Sequence, residues 1–292
     1  MIQAAYDLLI GPFVEFEFMR RALIGSFALT LGAAPIGVFL LLRRMSLVGD
    51  AMAHAILPGA AIGYLVAGLS LGAMTVGGLV AGCLVAVLAG VVTRNTLLRE
   101  DASLASFYII SLALGVTLVS LKGSNIDLLH VLFGSVLALD DNTLLLLASI
   151  STLTLFVVAF IYRPLVLECV DPGFLRSVSG AGAAIHLVFL CLVVINLIGG
   201  FHAMGTLLAV GMLMLPAIAA RFWCSGVATM IGVSLLIGMA SSVIGLVLSY
   251  HAGLATGPTI ILAAGAIYIV SLLIGPHGGL IRQFAPQRHL EA

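Results

Sequence analysis

In this chain of 292 residues, 62% are hydrophobic and only 8% charged, against roughly 25% charged residues in a soluble domain. The formal net charge is +0, no basic-aromatic patch marks a nucleic-acid binder, and the composition leaves little for a large solvated domain. What remains is a chain long enough for many membrane spans at about 20 residues each.

Residues 1–21 set Asp7, Glu15 and Glu17 among Phe13, Phe16 and Phe18, which predicts an amphipathic lead-in at the membrane surface. No basic n-region precedes an apolar core there, so no cleaved signal peptide is expected. Apolar runs then predict spans at 22–42, 45–67, 73–93 and 104–121. Between 122 and 142 the apolar pattern is interrupted by Asp127, His130, Asp140 and Asp141, and a short segment at the surface is expected. Further spans follow at 143–162, 183–197, 203–222, 226–250 and 258–274, with Gly199-Gly200 read as a turn. The longest polar connection is 163–182, and a polar tail occupies 276–292. The expectation is an all-α polytopic bundle of about nine spans, or eight given the shortness of 183–197 and 203–222. It forms one transmembrane domain over 22–275. No segment shows the alternation of a membrane β-barrel.

The arginines orient the chain. Placing 163–182 in the cytoplasm puts nine of the 12 basic residues inside, and Arg20, Arg21 and Lys122 outside. That arrangement needs an odd number of spans, an outer N-terminus and a cytoplasmic tail. The four cysteines (Cys83, Cys169, Cys191, Cys224) form no CxxC, so neither a disulfide framework nor a zinc knuckle is expected.

The chemistry concentrates in the second span. Asp50 and His54 lie four residues apart and share one helical face. Pro58 has no N–H to give the carbonyl of His54, so that oxygen is expected to be freed beside them. Ionisable side chains inside a span cost about 2.5–3.5 kcal/mol on insertion scales, which demands a reason. A path for a divalent metal is one, since carboxylate with imidazole suits zinc, manganese or iron. Hydrogen bonding to neighbouring helices is another, and spacing alone favours neither.

A second candidate site is Asp171-Pro172-Gly173-Phe174-Leu175-Arg176. Asp is a good N-cap and Pro suits the first helical position, so a short helix is expected to open here and to present Phe174 and Leu175 beside Arg176. An ordinary capped connector accounts for the same residues. His202 is a third candidate for contact with a cation, although a lone boundary histidine commonly finds a water or backbone partner. There is no Walker A motif and no HExxH. An ion-coupled secondary transporter using Asp50 and His54 as a relay remains the alternative, and no convergent catalytic groups mark an enzyme.

The run from Arg44 to Gly59 (Arg-Met-Ser-Leu-Val-Gly-Asp-Ala-Met-Ala-His-Ala-Ile-Leu-Pro-Gly) resembles the signature of permease subunits of zinc, manganese and iron ABC importers. Gly205–Arg221 and the Ser249-Tyr250…Thr256-Gly257-Pro258 run resemble the same family, although His251-Ala252-Gly253 stand where its members usually place an acid. The resemblance implies that Asp50 and His54 line the metal path and that the Asp171 segment is a coupling helix docking on an ATPase. It also implies a cytoplasmic ATP-binding subunit, an extracytoplasmic metal-binding protein and a second permease copy, most simply a homodimer. The implied location is the bacterial inner membrane. No permanently bound cofactor is expected, only transported metal. Histidines 202 and 251 tilt the expected metal towards zinc, ahead of manganese or iron.

Overall fold

Backbone amides in lipid have no water to bond, so a chain this apolar must satisfy them within helices. Every regular element among the described residues is helical. The computed structural model describes residues 10–68, 70–97, 100–121, 136–171, 174–175 and 182–281. Helix α1 (Gly11–Glu15) leads into α2 (Glu17–Leu42), followed by α3 (Val48–Ala55), α4 (Leu57–Ala67), α5 (Leu71–Asn95) and α6 (Glu100–Leu121). After a 3-10 turn at Val136–Ala138 come α7 (Asp141–Val170), α8 (Gly182–Met204), α9 (Thr206–Arg221), α10 (Val227–Ala252) and α11 (Thr256–Ile274).

Seven of the described helices are long and apolar enough to cross a membrane, with α3 and α4 counted together as one. Two shorter apolar stretches, Ala102–Leu118 and Thr206–Arg221, stand beside them. By length and composition the described residues thus hold seven candidate spans, and the expected count of about nine is not confirmed on that measure.

Several boundaries differ from expectation for identifiable reasons. Helix α2 begins at Glu17 rather than at residue 22, because Arg21 bridges Glu17 at 2.8 Å and Asp141 at 3.2 Å and so tolerates the helix. Helix α7 is opened by Asp140, whose Oδ1 accepts from Thr143 N–H at 3.0 Å. It then runs past Pro164 to Val170, well into the connection expected over 163–182, because Leu165 and Glu168 are buried against the core. The turn expected at Gly199-Gly200 is absent. Both glycines pack helically, against Ile150 and Ala209 respectively, and the chain reverses instead at Gly205 with φ 87°. Most of the expected surface segment at 122–142 lies outside the described residues.

Helix α2 is the interior post, packed by α7, α8, α9 and α10. Gly37 brings it against α9, since a Cβ there would run into the carbonyl of Leu213. Gly59 of α4 and Gly77 of α5 face each other's carbonyls in the same way, the small-residue contact that membrane helices use in place of a hydrophobic drive.

The helices define two ends. One gathers Arg43 with Glu168 and His186, together with the Phe222 carbonyl that accepts from His277 N–H at 2.9 Å. The other gathers Arg21 with Asp141, and Phe16 with Tyr250, whose ring centroids are 5.6 Å apart.

Gly59→Ala is expected to lower the thermal stability of the detergent-purified protein by about 1–3 kcal/mol, the range of overpacking. A Cβ on Gly232 or Gly265 would meet nothing within 4 Å. Alanine at either position should be neutral or stabilising, by up to about 1 kcal/mol. Thermal unfolding of the three variants checks both directions.

Candidate functional site

Helix α2 ends in a Schellman turn: Met45 N–H bonds Leu40 O at 2.9 Å and Arg44 N–H bonds Leu41 O at 3.0 Å. The reversed chain enters α3 at Val48, and Gly49 lets it approach α9, where a Cβ would lie 3.1 Å from Leu213 Cδ2. Asp50 stands in the first turn of α3, where the helix dipole favours an anion, and His54 in its last turn, where it favours a cation.

Pro58 then interrupts the ladder, and the break falls at Ile56. Ile56 N–H bonds Met52 O at 3.3 Å and also points to the carbonyl of His54. The Ala55 carbonyl accepts from Ser111 Oγ of α6 at 3.0 Å. The break expected at the His54 carbonyl extends to that of Ala55, which α6 takes up.

His54 Nε2 lies 3.8 Å from Asp50 Oδ1, too far for a hydrogen bond and close enough to share one cation. The imidazole lies near-parallel to Tyr108, with ring centroids 6.1 Å apart and 28° between planes. Asp50 and His54 side chains are 65% and 31% exposed, whereas Ala51, Met52 and Ala53 between them are buried. The pair opens into a cavity of about 420 Å³, lined also by Thr206, Val210 and Gly211 of α9 and Ile261 of α11. Two donors that leave the rest of a cation's coordination open suit a site that loads and unloads. A closed structural site would supply four ligands. Among the described residues no group of three or more His, Cys, Asp or Glu could hold a metal.

The remaining candidates separate. His202 does not line this cavity; its Nδ1 meets the carbonyl of Ile198 at 2.9 Å, the backbone partner typical of a boundary histidine. His251 lies at the far end of α10, edge-on to Tyr250. Asp171 caps a helical turn, accepting from Phe174 N–H at 2.8 Å. Phe174 is exposed and Leu175 buried, so the expectation that both are presented is corrected: only Phe174 is. Leu175 turns inward because it completes the core around Leu165 and Phe189. Pro172, Arg176, Asp127 and His130 lie outside the described residues.

Sequence reasoning missed Tyr108 and Ser111, which reach the site from α6, and Gly211, where a Cβ would strike Ile261. Only Gly211 carried a signal, as a glycine inside the Gly205–Arg221 run. Also missed was a buried ionic cluster of Arg43, Glu168 and His186, hinted at by a lone acid in an apolar run.

Residues 15–275 match the ABC 3 transport family. The chain is 31% identical over 262 residues to the manganese import system permease protein ScaB of Streptococcus parasanguinis, covering 90% of this chain and 92% of that one. It is 30% identical over 267 residues to a probable iron transport system membrane protein of Haemophilus influenzae, covering 91% and 97%. The solved structure of PsaBC from Streptococcus pneumoniae in complex with Fab superposes with a TM-score of 0.82 at 28% identity, covering 97% of this chain and 99% of that one. With the family matched along most of its length and its fold shared, this chain belongs to the ABC 3 transport family and is a multi-span permease of the bacterial cell membrane.

Proposed function

We propose that this permease is the membrane-spanning subunit of an ATP-driven importer of a divalent transition metal, with Asp50 and His54 as the cation's contacts along the path. The carrying observation is a carboxylate exposed from an apolar span, 3.8 Å from an imidazole and open to a cavity. A charge so placed cannot face lipid cheaply and calls for a water-filled path or a second subunit. A second copy of the chain, closing the path as a homodimer, supplies the other wall.

Manganese and iron are the preferred cargoes. The relatives quoted above are named for those metals, and one carboxylate with one imidazole suits either. The case for zinc rested on surrounding imidazoles, and His202 and His251 do not reach the cavity. ATP hydrolysis is assigned to a separate cytoplasmic subunit, because this chain carries no Walker A motif. Metal delivery is assigned to an extracytoplasmic binding protein. The capped turn at Asp171, with Phe174 outward, is the proposed docking point on the ATPase, and Pro172 and Arg176 are assigned to it from the sequence motif alone. Counting the two shorter apolar helices gives nine crossings, with the Arg43 and Arg221 end in the cytoplasm. The lead-in is then 1–21, the permease domain 22–275 and the cytoplasmic tail 276–292.

Asp50→Asn and His54→Ala should each reduce uptake by about tenfold or more, since one lost charge–ligand contact is worth at least about 1.4 kcal/mol. A proton relay would fail in the same way, so metal occupancy of the purified complex decides. Manganese or iron bound in wild type and lost in the double variant supports the path, and equal occupancy removes the site from these residues. Phe174→Asp should abolish association with the ATPase while the permease still reaches the membrane; co-purification at the wild-type ratio contradicts that docking point. In a cysteine-free background, a cysteine at Ser225 should react only from the cytoplasmic side and one at Asn142 only from outside. Labelling of both from one side would sink the nine-crossing arrangement.

A further inference from the structure

The turn between α2 and α3 carries charges that cation binding does not use. Arg43, at the end of α2, places its guanidinium 5.5 Å from the Phe189 ring centroid and donates to His186 Nδ1. Its Nη2 lies 3.9 Å from Glu168 Oε1 near the end of α7, and the two side chains are only 10% and 7% exposed. Arg43 Nη1 and Glu168 Oε2 have no hydrogen-bond partner among the described residues. A buried pair this loose and this incompletely satisfied is poor glue, because apolar replacements of such pairs are often neutral or stabilising.

Arg44, the next residue, stands at φ 58°. It occupies the left-handed position that a Schellman turn usually gives to glycine, because a side chain there crowds the following carbonyl. A strained backbone and an under-satisfied ion pair therefore meet at one turn. Strain that persists at one place commonly belongs to a working part.

The same turn has mechanical neighbours on both sides. Towards the ATPase-facing end, a Cβ on Gly182 would lie 3.1 Å from Glu168 Oε2 and 3.6 Å from Leu175 Cδ2, so Leu175 and Glu168 share one pocket of the core. Leu175 is buried beside the exposed Phe174. In the other direction, Met45 and Val48 are buried in the core cluster that also holds Leu175, Phe189 and Leu165, and Asp50 follows two residues later. Movement of the 174–175 turn thus has a packed route to the start of α3.

We infer that Arg43, Glu168 and the strained Arg44 turn are the linkage by which displacement at the Phe174 turn re-aims α3 and its Asp50–His54 pair. The linkage rests on the transport reading given above. Arg43 and Glu168 are positioning residues that touch neither cation nor nucleotide. The loose ion pair lets the end of α7 and the end of α2 shift relative to each other without stranding either charge, and the strained turn makes a second arrangement of α3 accessible.

The test is a neutral double variant, Arg43→Met with Glu168→Leu, assembled with the ATPase subunit and reconstituted in vesicles. Metal occupancy, ATP hydrolysis and metal moved per ATP are read together. Occupancy and hydrolysis should persist while metal moved per ATP falls about tenfold, a coupling loss within the usual range for linked sites. A double variant that transports at the wild-type ratio overturns the linkage, because the pair would then be packing alone. Arg44→Gly leaves Arg43 and Glu168 in place and supplies a second readout independent of the buried pair. Releasing the strain settles the turn in the present arrangement, so thermal stability should rise while uptake per ATP falls several-fold; unchanged uptake with higher stability overturns the linkage as well. A wild-type complex that binds no manganese or iron would count against the cation site and take the linkage with it. Normal binding with full coupling in both variants counts against the linkage alone.

Discussion

A proline that cannot donate, one turn beyond a histidine, is the constraint around which the site is built. Pro58 forces α3 and α4 apart at Ile56, and the two short helices can then take different partners. Helix α4 settles on α5 through Gly59 and Gly77, and α3 packs between α6 and α9. Broken backbone in a membrane is tolerated only inside protein or against a cavity, and both conditions hold here. Ser111 takes the Ala55 carbonyl on one side, and the cavity holding Asp50 and His54 lies on the other. An unbroken helix would have carried Asp50, His54 and the α5 contact on one rigid rod.

The carboxylate and imidazole were legible in the sequence because their meaning is local. Spacing of four residues on a helix places them together whatever surrounds them, and the observed separation is 3.8 Å. What surrounds them was not legible. Tyr108, Val210 and Ile261 arrive from three other helices, and nothing in an apolar run says which of its residues will meet a distant partner. His202 shows the opposite case: a residue of the right chemistry, spent on the Ile198 carbonyl away from the cavity.

Boundaries follow the same division. The Asp171 cap was readable as side-chain chemistry, and Asp171 accepts from Phe174 N–H as a cap should; Asp140, read only as a break in the apolar run, caps α7 as well. The Gly199-Gly200 turn was misread because two glycines signal a reversal in a soluble protein and close packing in a membrane. Here they let α8 pass Ile150 and Ala209, and the reversal falls to Gly205. Leu175 went wrong for a tertiary reason. Beside an exposed Phe174 it looked like a second docking residue, yet the core around Leu165 claims it. That inward turn places the Phe174–Leu175 turn and the start of α3 in one packed core, through Leu175, Met45 and Val48.

The central claim is that one cation is held between Asp50 and His54, and pulsed electron paramagnetic resonance of the manganese-loaded complex tests it most directly. With histidine nitrogen labelled, the account predicts a hyperfine coupling from one imidazole to bound manganese, abolished by His54→Ala and retained in His202→Ala. A nitrogen coupling that survives His54→Ala, or manganese bound with no imidazole coupling in wild type, would contradict it.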